Sequence, residues 1–148
     1  MNIYFICTGN TCRSPLAEAI VNHADVSGVQ AKSAGIHAMD GMPISVNSAQ
    51  LLREADMAYK KFSNELKRSD MQWADIILTM TKSHRDFLHG AFPEMKEKVF
   101  TLKEYRGTSY NLDVHDPYGG DLSTYRTTFN ELTELIYPMI QQLAEEKR

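Results

Sequence analysis

Cys7-Thr8-Gly9-Asn10-Thr11-Cys12-Arg13-Ser14 lies between an apolar run at residues 3–6 and a helix-forming stretch that opens at Pro15. The apolar run reads as a buried strand. A cysteine, five residues, an arginine and a serine make one turn of backbone between that strand and that helix. The amides of residues 8–13 can converge there on a tetrahedral anion, as in a nest at a helix N-terminus. Arg13 adds a planar fork of donors for two of the anion's oxygens. Cys7 then stands where a thiolate faces the phosphorus, and the surrounding positive field favours the thiolate over the thiol. The expected phosphate-binding residues are Thr8, Gly9, Asn10, Thr11, Cys12, Arg13 and Ser14.

Other loop chemistries fit less well. A nucleotide-binding P-loop needs a lysine where Arg13 stands, and a dinucleotide fingerprint needs more glycines than Gly9. A zinc site built on Cys7 and Cys12 finds no second Cys or His pair in the sequence to complete it. No metal and no cofactor is therefore expected.

The 148 residues suit one domain spanning 1–148, and 43% hydrophobic content is enough for a core. A net charge of −3 argues against nucleic acid as a partner. No apolar run approaches the ~20 residues that span a bilayer, so no membrane partner is expected. The sequence opens directly in a strand, without a signal-peptide pattern. Its two cysteines share one loop rather than forming a disulfide framework. The expected location is the cytoplasm.

Along the chain, strand and helix patterns alternate. A helix follows the loop to about residue 25, and residues 29–34 read as a second strand ended by Gly35. Pro43 or Ser45 opens the next helix, and Ser63 reads as the N-cap of another short one. Residues 74–80 form a near-continuous apolar run, the mark of a central parallel strand covered on both faces. Thr81 is placed to cap a helix over 82–92, and residues 98–102 give a fourth strand. Residues 106–114 read as a polar loop. Asp116-Pro117-Tyr118-Gly119-Gly120-Asp121 is a turn. A last helix runs from about 122 to 145, with Pro138 as a candidate kink or break. The alternation predicts an α/β three-layer sandwich: a four-stranded parallel sheet with helices on both faces. Ligands bind such sheets outside the carboxyl ends of the strands, which is where Cys7 lies.

Transfer of a phosphoryl group to a thiolate also needs an acid for the leaving group and a base for the water that follows. Asp116 is the candidate, on a loop stiffened by Pro117 and beside an aromatic that could wall a pocket. Arg13, the loop amides and the helix terminus supply the positive field, so the scheme needs no metal.

The loop with Pro15, the Ser33-Ala34-Gly35 stretch and Asp116-Pro117-Tyr118 together resemble the low-molecular-weight protein tyrosine phosphatases, over essentially the whole chain. The resemblance implies a four-stranded parallel sheet. It implies a phosphatase acting on phosphorylated proteins, with Cys7 as nucleophile, Arg13 on the phosphoryl oxygens and Asp116 as acid and then base. It also implies that inorganic phosphate and other oxyanions occupy the site. Asn10, Ser14 and Ser33 would be the polar support of loop and thiolate. One departure shows. Members often carry a histidine before the third strand as part of this support, and here the segment reads Tyr59-Lys60-Lys61-Phe62.

Within the family, Thr11 and Gly119-Gly120 resemble the bacterial protein arginine phosphatase branch, as does the stretch 98–105. Members acting on phosphotyrosine usually carry a larger aliphatic residue in place of Thr11. Thr11 and Tyr118 are thus the expected specificity residues; phosphoarginine is the favoured substrate and phosphotyrosine the alternative. Arsenate reductases share the loop, but their thiol relay needs cysteines outside it. A phosphate-binding module without activity would be expected to lack Cys7, Arg13 or Asp116. Cys7 and Cys12 form a candidate redox pair in which a disulfide protects the nucleophile. The histidines are not paired at ligand spacing. His84 and His89 are expected on a helix surface and His115 in solvent.

Overall fold

The computed structural model describes residues 1–146. Four parallel strands, β1 (Asn2–Cys7), β2 (Gln30–Gly35), β3 (Ile76–Thr79) and β4 (Val99–Thr101), form one sheet in the order β2-β1-β3-β4. Cys7 pairs with Gly35 and Ile6 with Thr79, so the three strands end together at one edge. The helices are α1 (Arg13–His23), α2 (Val46–Glu54), α3 (Arg68–Trp73), α4 (Lys82–Ala91), α5 (Leu102–Tyr105) and α6 (Leu122–Glu146), with a 3₁₀ turn at Pro93–Lys98.

Strand alternation divides the core in two. Ile3, Phe5 and Cys7 of β1, with Ile76 and Leu78 of β3, face α1 and α6. Tyr4, Ile6 and Ile77 face the other way, onto Met71 of α3 and Leu88 of α4. Both faces are covered, which is why these strands are apolar without alternation. The parity also sends the Cys7 side chain toward α1 rather than α4. Helix α1 is buried along most of its length, from Arg13 to Val21, because it lies between the sheet and α6.

Three sequence expectations change. Ser63 caps no helix. Its hydroxyl donates to the Met39 carbonyl and accepts from the Met42 amide at 3.1 Å, inside an extended strap bridged to Pro43 through Phe62. The strap continues along the end of β2, where Leu66 N–H donates to the Gly35 carbonyl. Tertiary pairing thus outcompetes a local cap. After β4 the chain turns at once into α5, opened by a capping box between Thr101 and Glu104. Pro138 does not break α6, which runs continuously through it. The proline faces solvent, while Leu132, Ile136, Met139, Ile140 and Leu143 anchor both sides of it in the core. Among the described residues no helix is long and apolar enough to cross a membrane.

Candidate active site

Cys7 ends β1 and is almost wholly buried. The chain then loops over the sheet edge and enters α1 at Arg13. No side chain caps the first turn of α1, so its leading amides are left for a ligand. The turn is made possible by Asn10, which sits in the left-handed region at φ 56°, a conformation asparagine tolerates better than most residues. From there its N–H donates to Cys7 Sγ at 3.3 Å. Gly35 lies directly against the loop. A Cβ on it would stand 2.4 Å from the Thr8 carbonyl oxygen and 2.9 Å from the Asn10 nitrogen, so only glycine lets the loop settle on β2.

Asn10, Ser14 and Ser33 come together as one buried network. Ser14 Oγ is 2.7 Å from Cys7 Sγ. Asn10 Nδ2 donates to Ser14 Oγ at 2.7 Å and to Ser33 Oγ at 3.0 Å. Ser33 Oγ in turn donates to Glu18 Oε1 at 2.9 Å. Asn10 Oδ1 accepts the Asn64 N–H at 2.8 Å and a proton of the Lys60 ammonium. Lys60 Nζ also donates to the Ser33 carbonyl at 2.9 Å and to Asn64 Oδ1 at 3.0 Å. The segment that lacks the family's histidine therefore supplies a lysine to the same network. Burial pushes Glu18 up and Lys60 down, and each charge opposes the other's shift. Sequence reasoning missed Lys60, Glu18 and Asn64. The strap that delivers Lys60 has no periodicity to mark it.

Arg13 is buried, with its guanidinium turned toward the loop after α5. Nη1 donates to the Val114 carbonyl at 3.0 Å, and Nη2 lies 3.7 Å from Asp116 Oδ2. The Asp116 carboxylate is more than half exposed, and its Oδ1 accepts the Tyr118 N–H at 3.0 Å, a local turn that fixes its direction. Cys7, Thr8, Gly9, Asn10, Thr11, Cys12, Arg13, Asp116 and Tyr118 line one cavity of about 260 Å³. The loop residues and the distant acid thus share a single space, with Cys7 on its floor and Tyr118 on its rim. Ser14 lies beneath this lining rather than in it.

Cys12 is buried beside Leu51 and Tyr125. Its Sγ is 3.3 Å from the Tyr125 hydroxyl and 3.7 Å from Thr11 Oγ1. Burial, with the contact to Cys12 adding to it, holds the Tyr125 phenol up at about 12. Both cysteines are free thiols.

The histidines correct one expectation. His84 is buried rather than on the surface, and its Nε2 is 2.8 Å from Thr8 Oγ1. Its backbone N–H is held by the Thr81 cap. His89 Nε2 meets the Val99 carbonyl at 2.9 Å. His115 is exposed, with Nδ1 2.8 Å from Thr128 Oγ1. Among the described residues no three His, Cys, Asp or Glu side chains group closely enough to hold a metal ion.

A buried thiol that accepts the Asn10 N–H, a guanidinium and a carboxyl group on one cavity can bind a phosphoryl group and exchange protons with what leaves and what arrives. Comparison with known proteins agrees. The model of the low molecular weight phosphotyrosine protein phosphatase family matches residues 2–148. A protein-arginine-phosphatase of Geobacillus stearothermophilus is 40% identical, covering 98% of this chain and 97% of its own. The low molecular weight protein-tyrosine-phosphatase PtpB of Staphylococcus aureus is also 40% identical, over 92% of this chain and 94% of its own. Among solved structures, the YwlE arginine phosphatase from Geobacillus stearothermophilus superposes with a TM-score of 0.94 at 39% identity, covering 99% of this chain and 94% of that one. A C7S mutant of YwlE arginine phosphatase with a phosphorylated active-site serine superposes at 0.90, with 39% identity and coverage of 97% and 95%.

His84 generates a prediction of its own. Burial, and then the Arg13 charge, lower it from 6.5 to about 4, so it is neutral in the folded protein at neutral pH. The unfolded chain binds a proton there below about pH 6.5 and the folded chain does not until about pH 4. Stability from this site is therefore complete above about 6.5 and falls as the pH drops toward 4, by about 3 kcal/mol at most. Urea unfolding of wild type and His84→Gln at pH values across that window should show a smaller acid loss in the variant. Equal losses would show that His84 does not titrate in this way.

Proposed function

This chain belongs to the low molecular weight phosphotyrosine protein phosphatase family, and we propose that within it the protein removes phosphate from arginine side chains of other proteins. The observation that carries this reading is the cavity wall. Thr11, the carboxyl group of Asp116 and the exposed ring of Tyr118 line it. No Val, Leu, Ile or Met stands among the lining residues to close on a phenyl ring. A guanidinium can lie flat on Tyr118 and direct its N–H groups to Asp116 and Thr11. The arginine phosphatases among the relatives support it. The phosphotyrosine reading is favoured by the equally similar staphylococcal enzyme.

In the proposed reaction the amides of the loop and Arg13 hold three phosphoryl oxygens, which places phosphorus above Cys7 Sγ. The thiolate attacks in line, an S–P bond forms and the P–N bond to the guanidine breaks. Asp116, protonated for this step, gives its proton to the departing nitrogen, and the products are phosphocysteine and the unmodified arginine side chain. Asp116, now a carboxylate, takes a proton from water. The water oxygen attacks phosphorus, the S–P bond breaks, and inorganic phosphate and the Cys7 thiolate are released. The phosphorylated serine of the C7S variant supports a phosphoryl acceptor at this position. Asn10, Ser14 and Ser33 hold the loop and thiolate in place for both steps. Phosphate and related oxyanions bind the same cavity in competition with substrate.

An enzyme that works through a free thiolate suits a reducing compartment, and the cytoplasm is the proposed location. Peroxide provides a regulated exception. It oxidises the Cys7 thiolate to a sulfenic acid, and attack by the Cys12 thiol releases water and leaves a Cys7–Cys12 disulfide. For this Cys12 must give up its contact with Tyr125.

Side-by-side kcat/KM for phosphoarginine and phosphotyrosine peptides tests the substrate, and a wild type that prefers phosphotyrosine overturns the proposal. Thr11→Ile should move the ratio toward phosphotyrosine. The added apolar area is worth on the order of 1 kcal/mol to a ring, and losing the hydroxyl costs the guanidine about 1–3 kcal/mol. A shift of roughly 10- to 10³-fold follows. An unmoved ratio would remove Thr11 as the discriminator. Asp116→Asn should slow poor leaving groups far more than activated aryl phosphates, since only the former need the proton; equal slowing would assign Asp116 a structural role. In Cys12→Ser, recovery of activity by dithiothreitol after peroxide should fall, and full recovery would exclude the disulfide.

A further inference from the structure

The network behind Cys7 has a direction. Asn10 Oδ1 faces two groups that can only donate, the Lys60 ammonium and the Asn64 N–H. A flipped amide would point N–H at both, so Oδ1 is held in place and Nδ2 must face Ser14 and Ser33. Ser33 accepts one of these protons and passes its own to Glu18. Ser14 accepts the other, which leaves its hydroxyl hydrogen for Cys7 Sγ at 2.7 Å. The lysine is held as firmly as the amide. Its three ammonium protons meet Asn10 Oδ1, the Ser33 carbonyl and Asn64 Oδ1, and no donor is left over.

Resting on the cysteine-phosphatase reading above, we propose that Lys60 is a positioning residue for the Cys7 thiolate. Its ammonium locks the Asn10 amide from behind the loop, so that Ser14 donates its hydroxyl proton to the Cys7 sulfur. That hydrogen bond acts twice. It favours the thiolate as nucleophile, and it stabilises the sulfur again as leaving group when the S–P bond breaks. The positive charge at the head of the chain polarises each bond toward the sulfur. Lys60 makes no hydrogen bond to the sulfur and does not line the cavity; its bond to the loop is the one to Asn10, and its charge also lies within electrostatic reach of Cys7.

The test compares wild type with Lys60→Gln, which keeps polar contacts without the charge, and Lys60→Arg, which keeps both charge and donors. The first readout is the rate of Cys7 alkylation by iodoacetamide at about pH 6, followed on the Cys7 peptide by mass spectrometry; only the thiolate reacts. Lys60→Gln should react about 10-fold more slowly, with recovery toward the wild-type rate in Lys60→Arg. Equal rates in Lys60→Gln and wild type overturn the proposal, as does a Lys60→Arg variant no faster than Lys60→Gln. The second readout is kcat on para-nitrophenyl phosphate in a double-mutant cycle with Ser14→Ala. The Lys60→Gln effect should largely vanish once Ser14 is gone, and full additivity overturns the relay. Alkylation requires no turnover. A wild type that releases no phosphate would therefore sink the phosphatase reading while the alkylation comparison still decides the role of Lys60.

Discussion

The structure depends on one buried side chain, Asn10, and on the four donors and acceptors that satisfy it. Its backbone takes the left-handed turn that brings the chain from β1 to α1. Its side chain ties together pieces that are far apart in sequence: Ser14 at the start of α1, Ser33 in β2, and Lys60 and Asn64 on the strap. A half-satisfied buried amide is costly, by about 1–3 kcal/mol for each orphaned group. Each bond therefore constrains the others. The loop cannot open without unpairing Asn10, and Asn10 cannot turn without unpairing the strap.

Electrostatic order follows from that geometry. The cavity faces the uncapped N-terminus of α1 and the Arg13 fork, both positive. The two groups that carry the proposed chemistry, the Cys7 sulfur and the Asp116 carboxyl group, both line it. Arg13 keeps them in register. It is bonded to the Val114 carbonyl and paired with Asp116, so the residue that opens α1 also tethers the acid loop. Thr8 and His84 add a second tie, between the loop and α4. A neutral His84 suits this position, since burial and the nearby Arg13 charge outweigh the pull of Asp113 and Asp116.

The support network also shows how a buried polar site is built with a lysine as the donor at its head. An ammonium can deliver protons to the Asn10 carbonyl as a ring N–H would, and its burial is tolerable because Glu18 lies across the same network. The identity of the donor is less constrained than its position. Position here is set by the strap, through the bridge at Pro43 and Phe62 and the bonds of residues 64–66 to Gly35.

Sequence alone determined the sheet and marked the loop on which the proposed chemistry rests. Strands covered on both faces are continuously apolar, and the loop from Cys7 to Ser14 carries its own spacing rule, because one turn of backbone around a tetrahedral anion needs a fixed number of residues. Asp116 was legible by its Asp-Pro-Tyr context and by family resemblance, and in the structure it lines the same cavity as Cys7. Only the tertiary structure decided the rest. The true course of residues 59–66 depends on pairing with 41–44 and with β2, and such pairing leaves no local period. The burial of His84, the engagement of Cys12 by Tyr125 and the arrival of Lys60 at Asn10 are contacts between residues dozens of positions apart. Polar side chains in irregular segments look like surface in a sequence. They prove to be interior only when the fold closes over them and leaves each one a partner.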